Sequence, residues 1–242
     1  MQSKYIIWHI YHSGIVIFNK KSKSMHIFDY YMDPDQILPD IIYNSNNLKT
    51  INIYVSHGHH DHYNPEIFNW ELNDYQTNFI LSKDLKDKVQ YNLKNNKNIY
   101  FIKNGEELSL KNLYIRAYPS TDLGISIYLK EDQGTIFYGG DLNWWDWESF
   151  NQEEKLREEK DFKNAVAEIK NKNINIACLA MDPRLKESFH LAVEYFNSTV
   201  EPQFLVPLHF KDDYKIIDKY NNKIENKSNI LEFKNPGDKI II

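Results

Sequence analysis

Within the run His57-Gly58-His59-His60-Asp61-His62, four of the metal-capable side chains stand in the order HxHxDH: His57, His59, Asp61 and His62. Imidazole nitrogen and carboxylate oxygen are donors that borderline divalent cations such as zinc accept, usually three or four to an ion. Residues two apart in an extended segment project to one side, so His57 and His59 can grip one ion while Asp61 and His62 turn to a second. Such a segment would activate water and polarise a carbonyl or phosphoryl oxygen. A tag-like run or a chance histidine cluster would lack the flanking elements that this one has.

Those elements are legible on both sides. Ile51-Asn52-Ile53-Tyr54-Val55 alternates apolar and more polar residues as a half-buried strand does. Asn64-Pro65-Glu66 reads as a helix start, with Asn at the N-cap and Pro at the first helical position. The donors therefore lie between a strand end and a helix N-terminus, where α/β folds place their active sites.

Further out, Tyr5 to Tyr11, Gly14 to Asn19 and Met25 to Tyr30 read as a three-strand meander. A strand at Asn78 to Leu81, a helix from about Lys83 to Leu93 and a strand at Asn98 to Ile102 follow the donor loop. The middle turns to β structure at Leu113 to Tyr118, Ile125 to Lys130 and Thr135 to Tyr138, punctuated by Gly124 and Gln133-Gly134. From Gln152 to Lys170, Leu156, Phe162, Ala165, Val166 and Ile169 recur at helical spacing on a charged background. A buried strand (Ile174 to Ala180), a second helix with Phe189, Ala192, Val193 and Phe196 on one face, and strands at Phe204 to Leu208 and Lys239 to Ile242 complete the set. Strand runs with helices after each half suggest two sheets between helices.

The 242 residues suffice for a substantial core, and no linker, repeat or composition shift divides them, so residues 1–242 read as a single domain. The net charge of −5, with both signs mixed along the chain, argues against nucleic acid as a partner. No apolar run approaches a membrane span. The early apolar stretch is interrupted by His9, His12 and Ser13 and lacks a cleavage site, which points to a cytoplasmic protein. The single cysteine, Cys178, sits in an apolar run and reads as a small buried hydrophobe.

Taken together, these features resemble the metallo-β-lactamase superfamily over nearly the whole chain. The resemblance implies an α/β (α+β) chain folded as a four-layer αββα sandwich with HxHxDH at one edge. It implies a binuclear site in which Asp141, after Tyr138-Gly139-Gly140, bridges two ions, and in which His209, closing Leu205-Val206-Pro207-Leu208, joins the second. An ordinary turn aspartate and a satisfied core histidine are the plain alternatives for these two. The family usually has another histidine ahead of the bridging aspartate, commonly three residues before a glycine. Here no histidine occurs between His62 and His190. Counting back from Gly124 puts Thr121 in its place, beside Asp122, the strong donor of the run. Either Asp122 completes the first site with His57, His59 and Asp141, or that site is one ligand short, whereas Asp61, His62, Asp141 and His209 furnish the second. Zinc is the implied metal, one ion or two, and the added carboxylate also suits manganese or iron.

Around the donors, Trp144 and Trp145 are candidates for a substrate wall, and Arg184 for a grip on an anionic group, packing and an ion pair being the alternatives. His12-Ser13-Gly14 and Asp29-Tyr30 end strands that could approach the site. His60 should point away from it, and His190 reads as structural. The expected function is hydrolysis of a small-molecule ester, lactone or phosphodiester by a metal-bound hydroxide that Asp61 orients or deprotonates. Exported antibiotic-degrading relatives, many with cysteine where Asp141 stands, fit less well. So do diiron relatives, which typically carry glutamate where His59 stands, and nucleic-acid enzymes with an inserted domain. The lactonase-like branch agrees in size. The alternative is a degenerate, non-enzymatic ligand-binding or sensor protein of the same fold.

Overall fold

The computed structural model describes residues 4–90, 93, 98–132, 134–223 and 229–242. In chain order its strands and helices are β1 (Tyr5–Tyr11), β2 (Gly14–Asn19), β3 (Ser24–Phe28), α1 (Ile37–Tyr43), β4 (Thr50–Val55), β5 (Gln76–Ser82), β6 (Ile99–Ile102), β7 (Glu107–Leu110), β8 (Leu113–Pro119), β9 (Ile125–Glu131), β10 (Gly134–Tyr138), α2 (Gln152–Ala167), β11 (Ile176–Ala180), α3 (Leu191–Val200), β12 (Phe204–Leu208), α4 (Lys215–Lys223) and β13 (Lys239–Ile241). They form two compact units, Met1–Lys103 with Phe233–Ile242, and Asn104–Glu232.

The first unit is a seven-stranded sheet in the order β13-β1-β2-β3-β4-β5-β6. The expected meander is present: β1, β2 and β3 pair antiparallel. From β3 to β6 all pairings are parallel. Strands β2 and β3 are buried at every position, the polar Asn19, Ser24 and His26 included. Because β1 and β3 each pair antiparallel with β2, they run the same way, and the carboxyl ends of β1, β3 and β4 lie along one edge of the sheet. That edge carries His12, Asp29 and the segment from Ser56 to His62.

The second unit is a six-stranded sheet, β12-β11-β10-β9-β8-β7. Strands β10, β11 and β12 are parallel, with Tyr138 opposite Cys178 and Ala180 opposite Leu208. Their carboxyl ends therefore share an edge too, and that edge carries Asp141, Asp182 and His209. Pro207 is accommodated because β12 is the sheet's last strand. Helix α2 starts with a capping box: Asn151 accepts from the backbone of Glu153 and Glu154 while Glu154 reaches back to Asn151. Its apolar face, Phe162, Ala165 and Val166, joins a core with Phe137, Phe196 and Tyr220. Phe137 and Phe196 stack at 5.4 Å.

Several boundaries differ from the sequence reading. The helix after Asn64 is a single 3-10 turn, Pro65–Phe68, capped as expected by the Asn64 side chain on Glu66 N at 3.0 Å. The helix expected from Lys83 is a 3-10 turn ending at Asp87, and its expected end at 91–93 falls partly outside the described residues. Gln133 also lies outside them. The long helix stops at Ala167 rather than Lys170. Helices α1 and α4 and strand β7 were not anticipated.

Candidate metal centre

In the first unit, Asp29 organises the donor loop. Its Oδ1 accepts from Ser56 N at 2.7 Å, and its Oδ2 accepts from Ser56 Oγ at 2.6 Å. His62 Nδ1 lies 2.7 Å from the same Oδ2 with both side chains fully buried. This fixes the His62 ring through one nitrogen and leaves the other as its donor atom, the carboxylate-backed arrangement usual for metal-binding histidine. A parallel argument sets His57. The Ser56 hydroxyl spends its proton on Asp29, so at 3.0 Å it accepts from His57 Nδ1, and His57 Nε2 presents a lone pair.

Gly58 lets the loop lie flat. Its N–H donates to Asp84 Oδ2 at 2.8 Å, and its carbonyl accepts from Lys88 Nζ. A Cβ at Gly58 would stand 2.7 Å from that ammonium nitrogen and 3.0 Å from that carboxylate. His57 Nε2 and His59 Nδ1 face each other at 3.0 Å. His60 is 90% exposed and leaves the cluster, as anticipated.

A residue outside the expected ligand set completes this side. His12, buried in the turn between β1 and β2, places Nε2 3.4 Å from Asp61 Oδ2. That contact, aided by His62 and opposed by burial, holds the Asp61 carboxyl well below the usual carboxylate range. His12, Asp61 and His62 each offer a donor atom within 4.8 Å of the others. The sequence signal for His12 was its place at a strand end.

The second unit presents the same chemistry. Gly139 N donates to Cys178 O at 2.8 Å, and a Cβ there would stand 2.9 Å from Leu179 Cδ2, so the strand end needs glycine to pass so close. Asp141 follows, buried, with Oδ1 3.2 Å from His209 Nε2. His209 Nδ1 lies 3.1 Å from Asp182 Oδ2, a second carboxylate-backed imidazole. His209 has φ of 68°, a conformation costly for any residue with a Cβ. Burial works to raise the Asp182 carboxyl, but His209 and Arg184 outweigh it and bring it to about 2.

Arg184 directs Nε to both Asp182 oxygens, at 3.0 and 2.9 Å, and its guanidinium lies over the Trp147 ring. The structure thus uses Arg184 in an ion pair that buttresses Asp182. Trp145 is buried with its ring 5.9 Å from that of His209. Trp144 instead packs against Phe162 and Tyr195 under α2 and α3, with Lys163 over its ring.

The middle segment corrects the expectation for Asp122. That residue is exposed and accepts from Leu123 N at 2.8 Å, capping its own turn. It belongs to no converging donor group among the described residues. Thr121 is the informative neighbour: its Oγ1 donates to Asn143 O at 2.6 Å and accepts from Asn143 N at 2.9 Å. Where a ligand was sought, the chain has a brace for the loop that carries Asp141. Here too His190 is structural, with Nδ1 3.0 Å from Glu194 Oε2.

Two donors on one tetrahedral ion at about 2.0–2.1 Å stand about 3.3 Å apart. The pairs His57/His59, His12/Asp61 and Asp141/His209, at 3.0, 3.4 and 3.2 Å, match that spacing. Nitrogen and carboxylate donors without thiolate suit zinc, manganese or iron, so the residues present fit the implied divalent metal. A separate cavity of about 480 Å³ in the first unit, lined by Trp8, Phe18, Lys20, Lys23 and Lys239, includes none of these donors. No helix among the described residues is long and apolar enough to cross a membrane.

No family model and no curated protein matches the sequence. Solved structures do match. A metallo hydrolase of the hyperthermophilic archaeon Ignicoccus hospitalis aligns at TM-score 0.67 and 15% identity over 98% of both chains. The metallo-β-lactamase fold protein YhfI of Bacillus subtilis aligns at 0.61 and 11%, over 99% of this chain and 100% of that one. CmlA, a diiron β-hydroxylase from Streptomyces venezuelae, aligns at 0.59 and 10% over all of this chain and 55% of its own. The chain has the metallo-β-lactamase fold, as its sequence led one to expect.

Proposed function

We propose that this protein is a metal-dependent hydrolase acting on an ester, lactone or phosphodiester bond of a small molecule. One observation carries the reading: two imidazoles, His62 and His209, are each backed by a buried carboxylate and stand among donor pairs at metal-ligand spacing. Histidines that served only packing would not need both of their nitrogens so placed. The proposed ligands are His57, His59, Asp61, His62, Asp141 and His209. Asp122 is not among them. A hydrolase and a hydroxylase among the matched structures show that the fold alone does not select the reaction.

Divalent ions bound there would supply an activated water and a Lewis acid for the substrate oxygen. The protein's own groups do the rest. In this reading Asp61, ionised and one quarter exposed, orients the attacking water and takes its proton. Asp29 and Asp182 hold the His62 and His209 rings in one tautomer. Trp145, whose buried indole N–H has no hydrogen-bond partner among the described residues, offers an apolar wall with one donor for a substrate oxygen.

The competing reading is a binding protein that keeps the fold without turnover, and Thr121 favours it by standing where a ligand was expected. Metal-free protein reloaded with zinc, manganese or iron and assayed against lactone, phosphodiester and thioester panels separates the two. Metal-restored hydrolysis of any panel supports the hydrolase. Tight metal and small-molecule binding with no turnover overturns it.

A further inference from the structure

We propose that His12 is itself a metal ligand, joining Asp61 and His62 on the second ion; this rests on the metal-centre reading above and adds a ligand that reading lacks. The β1–β2 connection is an unusual hairpin. Two-residue hairpin turns favour Asn, Asp and Gly, and they normally stand in water. Here the turn is His12-Ser13, with His12 3% exposed and Ser13 fully buried. His12 moreover adopts φ of 57°, left-handed backbone that a residue with a Cβ enters at a cost. A buried, strained imidazole in a tight turn is poor packing chemistry and sound ligand chemistry.

The surroundings aim the ring. His9, one turn of pleat earlier on β1, has Nε2 3.0 Å from the His12 carbonyl and ties the turn down from within. The pairing of β1 with β2 shifts register between His9 and Tyr11, which reorients the end of the strand. His12 Nε2 then stands 3.4 Å from Asp61 Oδ2, and its ring lies edge-on to that of His62 at 5.8 Å. Beyond the usual hydrogen-bond range but at the spacing of two ligands on one ion, the His12/Asp61 pair matches the His57/His59 pair beside it.

Metal binding itself provides the test, with zinc alone as the probe, under chelator competition. Wild-type protein should hold two zinc ions. His12→Asn, which tolerates the left-handed turn, should weaken one of them more than about a hundredfold, beyond the loss typical of an outer-shell partner, and leave the other unchanged. His60→Ala, at an exposed ring, should bind as wild type. In zinc-loaded wild-type protein with nitrogen-15 histidine, five of the nine rings should show a coordinated nitrogen, so the count stands even where the variant fails to fold. Four coordinated rings, or a loss under tenfold in His12→Asn, overturns the proposal while the metal centre stands. Wild-type protein that takes up no zinc overturns the metal-centre reading and this inference with it.

Discussion

Held ionised by His12 and His62 yet one quarter exposed, the Asp61 carboxylate is the group to which the proposed function gives the proton of the attacking water. Asp61→Asn keeps its size and one acceptor oxygen but cannot take a proton. In metal-loaded protein it should lower kcat by about 10²–10⁴-fold while circular dichroism and the melting profile stay near wild type; undiminished turnover would remove Asp61 from the mechanism. His9 makes a different prediction, about stability. Burial, reinforced by the neighbouring His12 charge and opposed by the His12 carbonyl and Asp238, brings its imidazole down to about 4. In the unfolded chain it takes its proton near 6.5. Between those values the unfolded state binds more protons, so stability present above pH 6.5 is lost as pH falls toward 4, with a slope up to about 1.4 kcal/mol per unit. His9→Gln keeps a nitrogen for the His12 carbonyl and titrates nowhere in that window. Its urea midpoint should therefore fall less than wild type between pH 7 and pH 5, and parallel declines would show that His9 is not the group responsible. At this scale the sequence displayed donors by type but not by direction. Asp122 had the right chemistry and points to its own turn, whereas His12 had no motif around it and points to Asp61.

Elements place these residues, and their legibility followed from how much local signal each carried. Strand β4 alternates, ends at a motif and is followed by an Asn-Pro cap, so strand, loop and cap could be read, while the helix expected beyond the cap is a single 3-10 turn. Helix α1 was hidden because Pro39 stands inside it and interrupts a helical pattern; in the fold, the Asp33 carboxylate caps it by accepting from Ile37 N and Leu38 N. Helix α4 buries Ile216, Ile217 and Tyr220, but nine residues rich in Lys and Asn offer a short stripe that tertiary packing must complete. The loop after β10 shows what no local pattern reveals, because its brace, Thr121, lies 22 positions before its partner Asn143. Thr121→Val preserves shape and deletes both hydrogen bonds to Asn143, which is buried. The variant should lose about 1–3 kcal/mol in chemical denaturation and bind metal about 10–100-fold more weakly, since the loop carries Asp141. Wild-type affinity in Thr121→Val would show that the loop holds its place without the brace.

At the scale of the whole molecule, the proposed ligands make a claim about stability. Each unit has its own sheet and core, and each carries proposed donors at the carboxyl ends of its parallel strands. An ion that binds the folded chain and not the unfolded one stabilises by mass action, by about 2.7 kcal/mol at a hundredfold excess over Kd. For a chain of this length that corresponds to a rise in Tm of about 5–10 °C. Zinc added to metal-free protein should produce that rise, and a chelator should reverse it. His209→Gln should lessen the rise, whereas His60→Ala, at an exposed ring, should leave it as in wild type. An undiminished rise in His209→Gln would remove His209 from the ligands. Calorimetry of wild type and variants, each with and without zinc, therefore tests the proposed ligand set, and it does so without any knowledge of the substrate.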